Sequence, residues 1–291
     1  MPANEHLEGQ WREWRHARVA ELTRPYGWTA LVAQHWLRDG DTGIELEGLP
    51  DTWSVEDGKV LYTPPTEGPN LVVDGEYATA TVEIVPGRNQ TYGHGRSVPV
   101  YFGVSEIETI PRTTDDGDRI FAVRVRDPRE SARKDFSGLS AYEYDPSWRL
   151  PAHFTPAVRE DVEQVTVETG VRETTARIGT LAFEHAGRTY ELALIGKDAA
   201  YGVQPVAHIR DLTSAKTTYG AGRVVELEFS DESGERIDYI DFNYLTALPC
   251  AFTNFVTCPL PPSQNHLDFE VLAGEKKPDV VIDRVLTFQS S

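Results

Sequence analysis

The chain is short of cysteine and of basic residues, and each shortage argues against a class of protein. Among 291 residues there are 2 cysteines, too few for a disulfide scaffold, and in a reducing compartment both are expected to be thiols. Lysine and arginine number 28 against 46 acidic residues, which gives a net charge of -18. Nucleic-acid binding needs a basic surface, so we expect none. Solubility through self-repulsion explains the acidity, and an acidic surface that binds a cationic partner is the alternative.

Long apolar runs are also missing. No segment approaches the roughly 20 apolar residues of a membrane helix, so we expect no membrane partner. The N-terminal stretch "MPANEHLEGQWREWRH" has no apolar core, so we expect no secretory signal. These features predict a cytoplasmic protein, and they leave its oligomeric state open.

The first forty residues have the apolar spacing of helices. Leu7, Trp11 and Trp14 share one helical face, and Pro25 ends that helix. Five later residues have the spacing of a second helical face: Trp28, Leu31, Val32, His35 and Trp36. The histidine of this set is expected to pack in the core. Residues 1–40 are therefore predicted to form a helical segment packed on the core.

Beyond Gly40 the apolar residues recur at every second position. The alternation is found in residues 78–85, 119–127, 189–196, 222–230 and 235–245. Half-buried antiparallel strands have this pattern, whereas parallel strands show continuous apolar runs. The sequence predicts a mainly β (α+β) fold, with an antiparallel sheet or barrel-like core and N-terminal helices. We predict a single β-rich domain over residues 41–291, with a soft boundary near residues 150–160.

One strand carries polar residues that suggest a site. In "IDYIDFN" the period of two places Tyr239, Asp241 and Asn243 on the same face. A phenol, a carboxylate and an amide would form a polar site if that face lined a cavity, and only a wetted surface if it faced solvent.

A glycine turn precedes another strand. In "TTYGAGR" the glycines Gly220 and Gly222 predict a tight turn with positive φ. Because a strand follows, a turn is favoured over a phosphate-binding loop. Arg223 ends the motif, and its guanidinium suits a carboxylate or a phosphate.

Both cysteines lie in a loop rich in proline and aromatic residues. Cys250 and Cys258 are separated by seven residues, whereas zinc-binding pairs are usually two to four apart, so we predict no metal site. Buried structural thiols are the favoured interpretation, with redox, disulfide and catalytic roles as alternatives. A catalytic thiolate needs a cationic neighbour, for which Arg223 and His266 are candidates. Prolines make the loop rigid, as in a pocket wall.

The basic stretch at residues 124–134 has two interpretations. It contains Arg126 and four further basic residues within an otherwise acidic chain. A solvated charged face is favoured, because surface ion pairs are common and weak. An anion site for a substrate carboxylate or phosphate is the alternative.

The motifs "TYGAGR", "DFN", "CAFT", "CPLPPSQN" and "AGEK", in this order and spacing, resemble the DUF1684 family. Upstream stretches fit as well, so the resemblance runs from about Trp11 onward. The family has no assigned function, so the resemblance implies one domain and a set of site residues, but no reaction. The matching residues are Tyr219, Gly220, Gly222, Arg223, Asp241, Asn243, Cys250, Cys258, Pro259, Pro262, Asn265, Gly274 and Glu275, with Arg126, Asp127 and Phe136 upstream.

Three functions remain open at this point, and no cofactor is identified. The first is a hydrolase-type enzyme whose catalytic residues are Asp241, Glu275 and Cys250. Its substrate-binding residues would be Arg223, Tyr219, Asn243, Cys258, Asn265 and Arg126. The second is a non-catalytic β-barrel module that binds a small ligand or an anionic cofactor such as flavin. The third is a purely architectural role, because buried polar groups must be hydrogen-bonded whether or not a ligand exists.

Overall fold

The computed structural model describes residues 3–86, 99–129, 136, 138–199 and 202–279. In these residues the protein is mainly β, with one α-helix and seventeen strands, and every strand pairing described below is antiparallel. The fold class predicted from the sequence is confirmed. The helix is α1 (Ala3–Leu22), and the strands are β1 (Leu31–Arg38), β2 (Ile44–Glu45), β3 (Thr52–Glu56), β4 (Lys59–Thr63), β5 (Val72–Val73), β6 (Glu76–Tyr77), β7 (Val82–Glu83), β8 (Val100–Phe102), β9 (Ser105–Thr114), β10 (Arg119–Arg126), β11 (Arg149–Val165), β12 (Val171–His185), β13 (Arg188–Ala199), β14 (Gly202–Ile209), β15 (Arg223–Glu226), β16 (Tyr239–Asp241) and β17 (Thr246–Ala247).

The described residues form two compact units. Unit 1 holds residues 3–21, 138–252 and 257–279, and unit 2 holds residues 22–86, 99–129, 136 and 253–256. The single-domain organisation predicted from the sequence stays a prediction.

Unit 1 contains α1 and the sheet that carries most of the predicted site residues. Its strands follow the order β17-β15-β14-β13-β12-β11-β16. The alternating apolar residues of these strands meet in one core that includes Phe154, Leu181, Leu192 and Phe242. Because β16 pairs with the first three residues of β11, the polar end of β16 lies beside Arg149. This pairing positions a cavity at the end of β16.

Unit 2 contains two sheets. One has the order β1-β10-β9-β8-β5-β6, and the other has the order β2-β3-β4-β7. Trp53, Tyr62 and Phe121 are fully buried in its core.

The first predicted helix is confirmed and the second is wrong. Trp28 begins a short 3-10 turn, and the following segment Leu31–Arg38 is strand β1, paired with β10. A bulge between Leu31 and Ala33 leaves consecutive residues buried, so the apolar spacing imitates that of a helix. His35 is half-buried on this strand, and burial lowers its pKa.

In the residues that the structure describes, no helix combines the length and the apolarity needed to cross a membrane.

Candidate functional site

The nine predicted site residues do not meet in one place. They fall into five groups: Arg223 with Glu275, Asp241 with Asn243, Tyr219 with Cys250 and Cys258, Asn265, and Arg126. Within the described residues, no hydrogen bond or ion pair joins one group to another. Each group therefore has an environment of its own.

Arg223 is buried inside unit 1, where both of its Nη atoms have partners and its Nε has none among the described residues. Its side chain is 1% exposed, and Nη2 donates to Asp211 Oδ2 at 2.8 Å and to the Val271 carbonyl at 3.0 Å. Nη1 donates to the carbonyls of Ala273 and Glu275. Burial lowers the pKa of Arg223, and the carboxylate of Asp211 opposes that shift. The guanidinium therefore ties the 271–275 segment to β15 and leaves no room for a substrate anion.

Asp211, the carboxylate partner of Arg223, was not predicted from the sequence. Its Oδ1 accepts hydrogen bonds from the backbone N–H of Thr213 at 2.7 Å and from the Thr213 hydroxyl at 2.5 Å. This is an Asx turn, in which an Asp bonds to the backbone two residues onward. The spacing of Asp211 and Thr213 is a sequence signal for the turn. No pattern in that segment indicates that Asp211 pairs with Arg223.

Two glycines permit the close packing around Arg223. Gly222 has φ of +96°, and a Cβ there would lie 2.2 Å from the carbonyl oxygen of Ile209. Gly274 has φ of +75°, and a Cβ there would lie 2.6 Å from the Cβ of Leu245. The positive φ predicted for the glycine turn is found at Gly222 and not at Gly220.

The Glu275 carboxylate has a structural environment. Its Oε2 accepts from the backbone N–H of Ala247 at 2.7 Å, and its Oε1 accepts from Arg18 Nε at 3.3 Å. Arg18 also donates to the Ala247 carbonyl at 3.1 Å. Burial raises the pKa of Glu275, and Arg18 partly offsets this effect. The residue links α1 to β17.

The side-chain amides of Asn243 and Asn265 each donate to and accept from the backbone of one residue, as the backbone of a neighbouring strand does. Asn243 accepts from the Asp145 N–H at 3.0 Å and donates to the Asp145 carbonyl at 2.8 Å. Asn265 pairs in the same way with Ala193, and it also donates to the His208 carbonyl at 2.8 Å. Both amides are buried, and all of these bonds are internal to unit 1.

The prediction that Asn243 shares a strand face with Asp241 is wrong. Strand β16 ends at Asp241, and a 3-10 turn over Phe242–Tyr244 rotates Asn243 into the interior. Asp241 caps that turn by accepting from the Asn243 N–H. The break in the period of two comes from this capping interaction.

Arg126 lies in unit 2, where it is also occupied. It donates to Glu108 at 2.8 Å and to the Gly27 carbonyl at 3.0 Å, and its guanidinium lies 4.7 Å from the centre of the Trp28 ring. This arrangement leaves the guanidinium enclosed by its own unit rather than open to an anion.

The two cysteines are free thiols, both buried. The backbone N–H of Cys250 donates to Cys258 Sγ at 3.4 Å, and the Tyr219 hydroxyl interacts with the Cys250 thiol. Burial raises the pKa of Tyr219, and the two thiols raise it further. Neither cysteine lines the cavity at Asp241.

Asp241 borders a cavity of about 450 Å³ in unit 1. Its Oδ1 accepts from the Asn243 backbone N–H at 3.0 Å and from the Asn243 amide at 2.9 Å. Within the described residues its Oδ2 has no hydrogen-bond partner. Burial raises the pKa of Asp241, whereas the bonds from Asn243 and the charge of Arg149 lower it. One oxygen of this carboxyl is therefore fixed and the other is available.

The cavity walls are acidic and aromatic. Three acidic and three aromatic residues line it: Glu226, Glu228 and Asp241, and Phe229, Tyr239 and Tyr244. Arg149, the cross-strand partner of Asp241, also lines it, and its guanidinium lies 4.3 Å from the centre of the Tyr239 ring. Burial, with a contribution from the Asp241 charge, raises the pKa of Tyr244 to about 12. The site thus offers carboxylates and ring faces.

Some of these residues could have been recognised earlier. Glu226 and Glu228 are exposed and alternate with buried Val225 and Leu227 on β15 and just beyond it, so the period of two in residues 222–230 is the signal that could have found them. Arg149 had no such signal, because its position depends on the pairing of β11 with β16. No group of three or more His, Cys, Asp or Glu side chains in the described ranges is placed to share a metal ion.

The fold and the cavity define a mainly β protein with a candidate small-molecule pocket at one end of its sheet. The chain belongs to the DUF1684 family, described as "Protein of unknown function", which matches residues 134–276, about half of the chain. That range spans nearly all of unit 1 except α1. The part of the resemblance drawn upstream of residue 134 lies outside it.

Comparison with solved structures finds an uncharacterised protein of Haloarcula marismortui, determined by solution NMR. It is 29% identical, the alignment covers 50% of this chain and 80% of that chain, and the TM-score is 0.42. No protein with curated annotation matches the chain.

Proposed function

We propose that this protein binds a small organic cation in the Asp241 cavity, without catalysing its conversion. The observation that carries the proposal is that Asp241, whose Oδ2 has no hydrogen-bond partner among the described residues, lines a cavity of about 450 Å³. A pocket with a few convergent polar groups is the usual form of a ligand site, and its volume suits a small molecule.

The charge of the ligand follows from the lining. Three carboxylates and one arginine line the cavity, and Lys197 pairs with Glu226 at 3.5 Å, so one net negative charge remains, which attracts a cation and repels an anion. Aromatic ring faces also attract cations, and the stacking of Arg149 on Tyr239 is an example inside this cavity. Burial raises the pKa of Asp241, and the nearby charge of Arg149 partly offsets that shift.

Binding is better supported than hydrolysis. The hydrolase hypothesis combined Asp241 with Arg223 and Glu275, whose side chains are engaged with other residues in unit 1. A bound anionic cofactor such as flavin is disfavoured by the acidic lining. We also propose a cytoplasmic location, which suits two unpaired thiols.

The test uses three ligands with the same ring and different charge. Benzylamine, benzyl alcohol and benzoate are titrated into the reduced protein, and binding is followed by saturation-transfer NMR at low salt. Benzylamine should bind, benzyl alcohol should bind more weakly, and benzoate should not bind. Increasing salt should weaken the benzylamine signal, because salt screens the charges of exposed groups.

Two variants locate the binding. Asp241→Asn should lower the affinity for benzylamine by about tenfold, since a lost charge contact is worth on the order of 1.4 kcal/mol. Asp238→Asn makes the same charge change outside the cavity, where Asp238 pairs with Arg236 at 3.1 Å, and should leave the affinity unchanged. Stronger binding of benzoate than of benzylamine would overturn the proposal, and so would equal effects of the two variants.

A further inference from the structure

The two thiols of the chain lie side by side in the interior of unit 1. Cys250 is 5% exposed in the 3-10 turn over Pro249–Ala251, and Cys258 is 4% exposed just before Pro259. The backbone nitrogen of Cys250 is 3.4 Å from Cys258 Sγ. Because an N–Cα bond is about 1.46 Å, that sulfur lies within about 4.9 Å of the Cys250 Cα.

This geometry is close to that of a disulfide. A disulfide joins two Cα atoms that are usually about 4.4–6.8 Å apart, with the Cβ atoms about 3.5–4.5 Å apart. The Cys258 sulfur already contacts the Cys250 backbone at 3.4 Å, so small side-chain rotations bring it to the Cys250 sulfur. The prolines Pro249 and Pro259 fix the backbone next to each thiol, so the two sulfurs are held together.

The surroundings of the pair do not suit a nucleophile for a substrate. Burial raises the pKa of Cys258 well above its ordinary value, and the hydrogen bond to Cys250 and the charge of Glu173 raise it further. The Tyr219 hydroxyl, itself protonated because burial raises its pKa, interacts with Cys250. The low exposure admits small reagents only. A bond between the two sulfurs is the chemistry that remains.

We propose that Cys250 and Cys258 form a dithiol that hydrogen peroxide oxidises in place to an intramolecular disulfide. The thiolate of Cys250 attacks one peroxide oxygen and the O–O bond breaks, which gives a sulfenic acid and, after protonation, one water. The sulfur of Cys258 then attacks the sulfenic sulfur, the S–O bond breaks, and a second water leaves. Two thiols and one peroxide thus give one disulfide and two waters.

Cys250 reacts first because burial raises the pKa of Cys258 well above its ordinary value, which keeps that thiol protonated. The Tyr219 hydroxyl interacts with Cys250, where it can donate a hydrogen bond to the sulfur as it reacts. Since only the thiolate reacts, the rate should increase with pH above neutrality. The disulfide closes a short loop over residues 251–257 and restricts the unfolded chain. This inference is independent of the proposed ligand site, because neither cysteine lines the cavity.

The experiment uses the full wild-type chain, reduced and then freed of reductant. It is treated with hydrogen peroxide at pH 7 and pH 9, quenched with catalase, denatured and alkylated with N-ethylmaleimide. The expected intact mass is lower than that of the reduced chain by two hydrogen atoms, with no alkylation, and dithiothreitol should restore two alkylatable thiols. The thermal midpoint of the oxidised form should rise by roughly 5 °C.

Variants separate the proposed route from simple overoxidation. Cys250→Ser and Cys258→Ser should gain oxygen or stay reduced, and Tyr219→Phe should form the disulfide more slowly. The wild-type result decides even if a variant fails to fold. Three results would each overturn the proposal. They are two thiols that can still be alkylated after peroxide treatment, oxygen added to one thiol without cross-linking, and a disulfide between two chains.

Discussion

Unit 1 contains two arginine–aspartate pairs that differ in what surrounds them. Arg223 and Asp211 meet at 2.8 Å in the interior, and both side chains are 1% exposed. Arg149 and Asp241 are cross-strand neighbours at a cavity, and there the arginine lies over the Tyr239 ring instead of on the carboxylate. The same two residue types thus form a closed network, in which arginine and aspartate pair in the interior, and an open network, in which they line a cavity without pairing.

The difference shows how a structural network can be told from a ligand site. Around Arg223 the carboxylate and three backbone carbonyls accept from the two Nη atoms, which is how a buried charge becomes tolerable, and only Nε lacks a partner in the described residues. Asp241 keeps one oxygen without a protein partner and has a pKa raised by burial. Polar groups left in this state at a cavity are candidates for function. The family motif thus includes residues of both kinds.

Breaking the closed network should have the largest effect. Arg223→Met keeps much of the side-chain volume but leaves the Asp211 carboxylate and the carbonyls of Val271 and Ala273 without their main donor. Removing one partner of a buried ion pair costs about 3–5 kcal/mol. Urea unfolding should show a loss of that size in the free energy of unfolding.

The matched control is the arginine of the open pair. Arg149→Met makes the same change at the cavity, where the guanidinium stacks on Tyr239, and should cost no more than about 1 kcal/mol. If both variants lost the same stability, the distinction between a closed and an open network would fail.

The next largest effect should come from Asn265. Asn265→Ala removes three hydrogen bonds to the backbone of Ala193 and His208 and leaves those groups buried. Each unsatisfied group costs about 1–3 kcal/mol, partly relieved by relaxation, so we expect a loss of about 3 kcal/mol in urea. The neighbour Gln264 is exposed, and Gln264→Ala should change stability by less than about 0.5 kcal/mol. A small effect at Asn265 would mean that water replaces its bonds.

Local patterns were enough to predict much of the fold. The helical face of α1 and the alternation of β10 and β13 each depend on residues within one segment, and both kinds of element are present. The error at β1 arose because a bulge imitates helical spacing. Pairing with β10 decides that segment, and such pairing is not visible in the segment itself.

The candidate site was less predictable because it depends on contacts between distant parts of the chain. Asp241 could be singled out from its own strand, but its neighbour Arg149 comes from the register of β11 against β16. Arg223 was chosen for its chemistry, yet its bonds to Asp211 and to the 271–275 segment decide its role. Residue type indicates what a side chain can bind, and burial and partners determine whether it is still available.

The smallest expected effect is the pH dependence caused by Asp241. Because burial raises its pKa in the folded protein, ionising this carboxyl costs more in the folded than in the unfolded chain, where the pKa is about 3.9. Its contribution to stability is therefore fully present below that pH and is lost as the pH rises through the folded pKa. Asp241→Asn should remove this dependence and be more stable than the wild type at pH 7, by no more than about 1 kcal/mol.

The measurement is urea unfolding of wild type and Asp241→Asn from pH 4 to pH 8, with Asp238→Asn as a control outside the cavity. The difference between wild type and variant matters, because Glu275 also has a pKa raised by burial and adds a slope of the same sign to both proteins. If the free energy of unfolding of the variant increasingly exceeds that of the wild type as the pH rises, the Asp241 carboxylate lacks partners that offset the cost of its burial. A difference of the opposite sign would mean that Arg149 pairs with Asp241 in solution, and the open network would then be a second closed one.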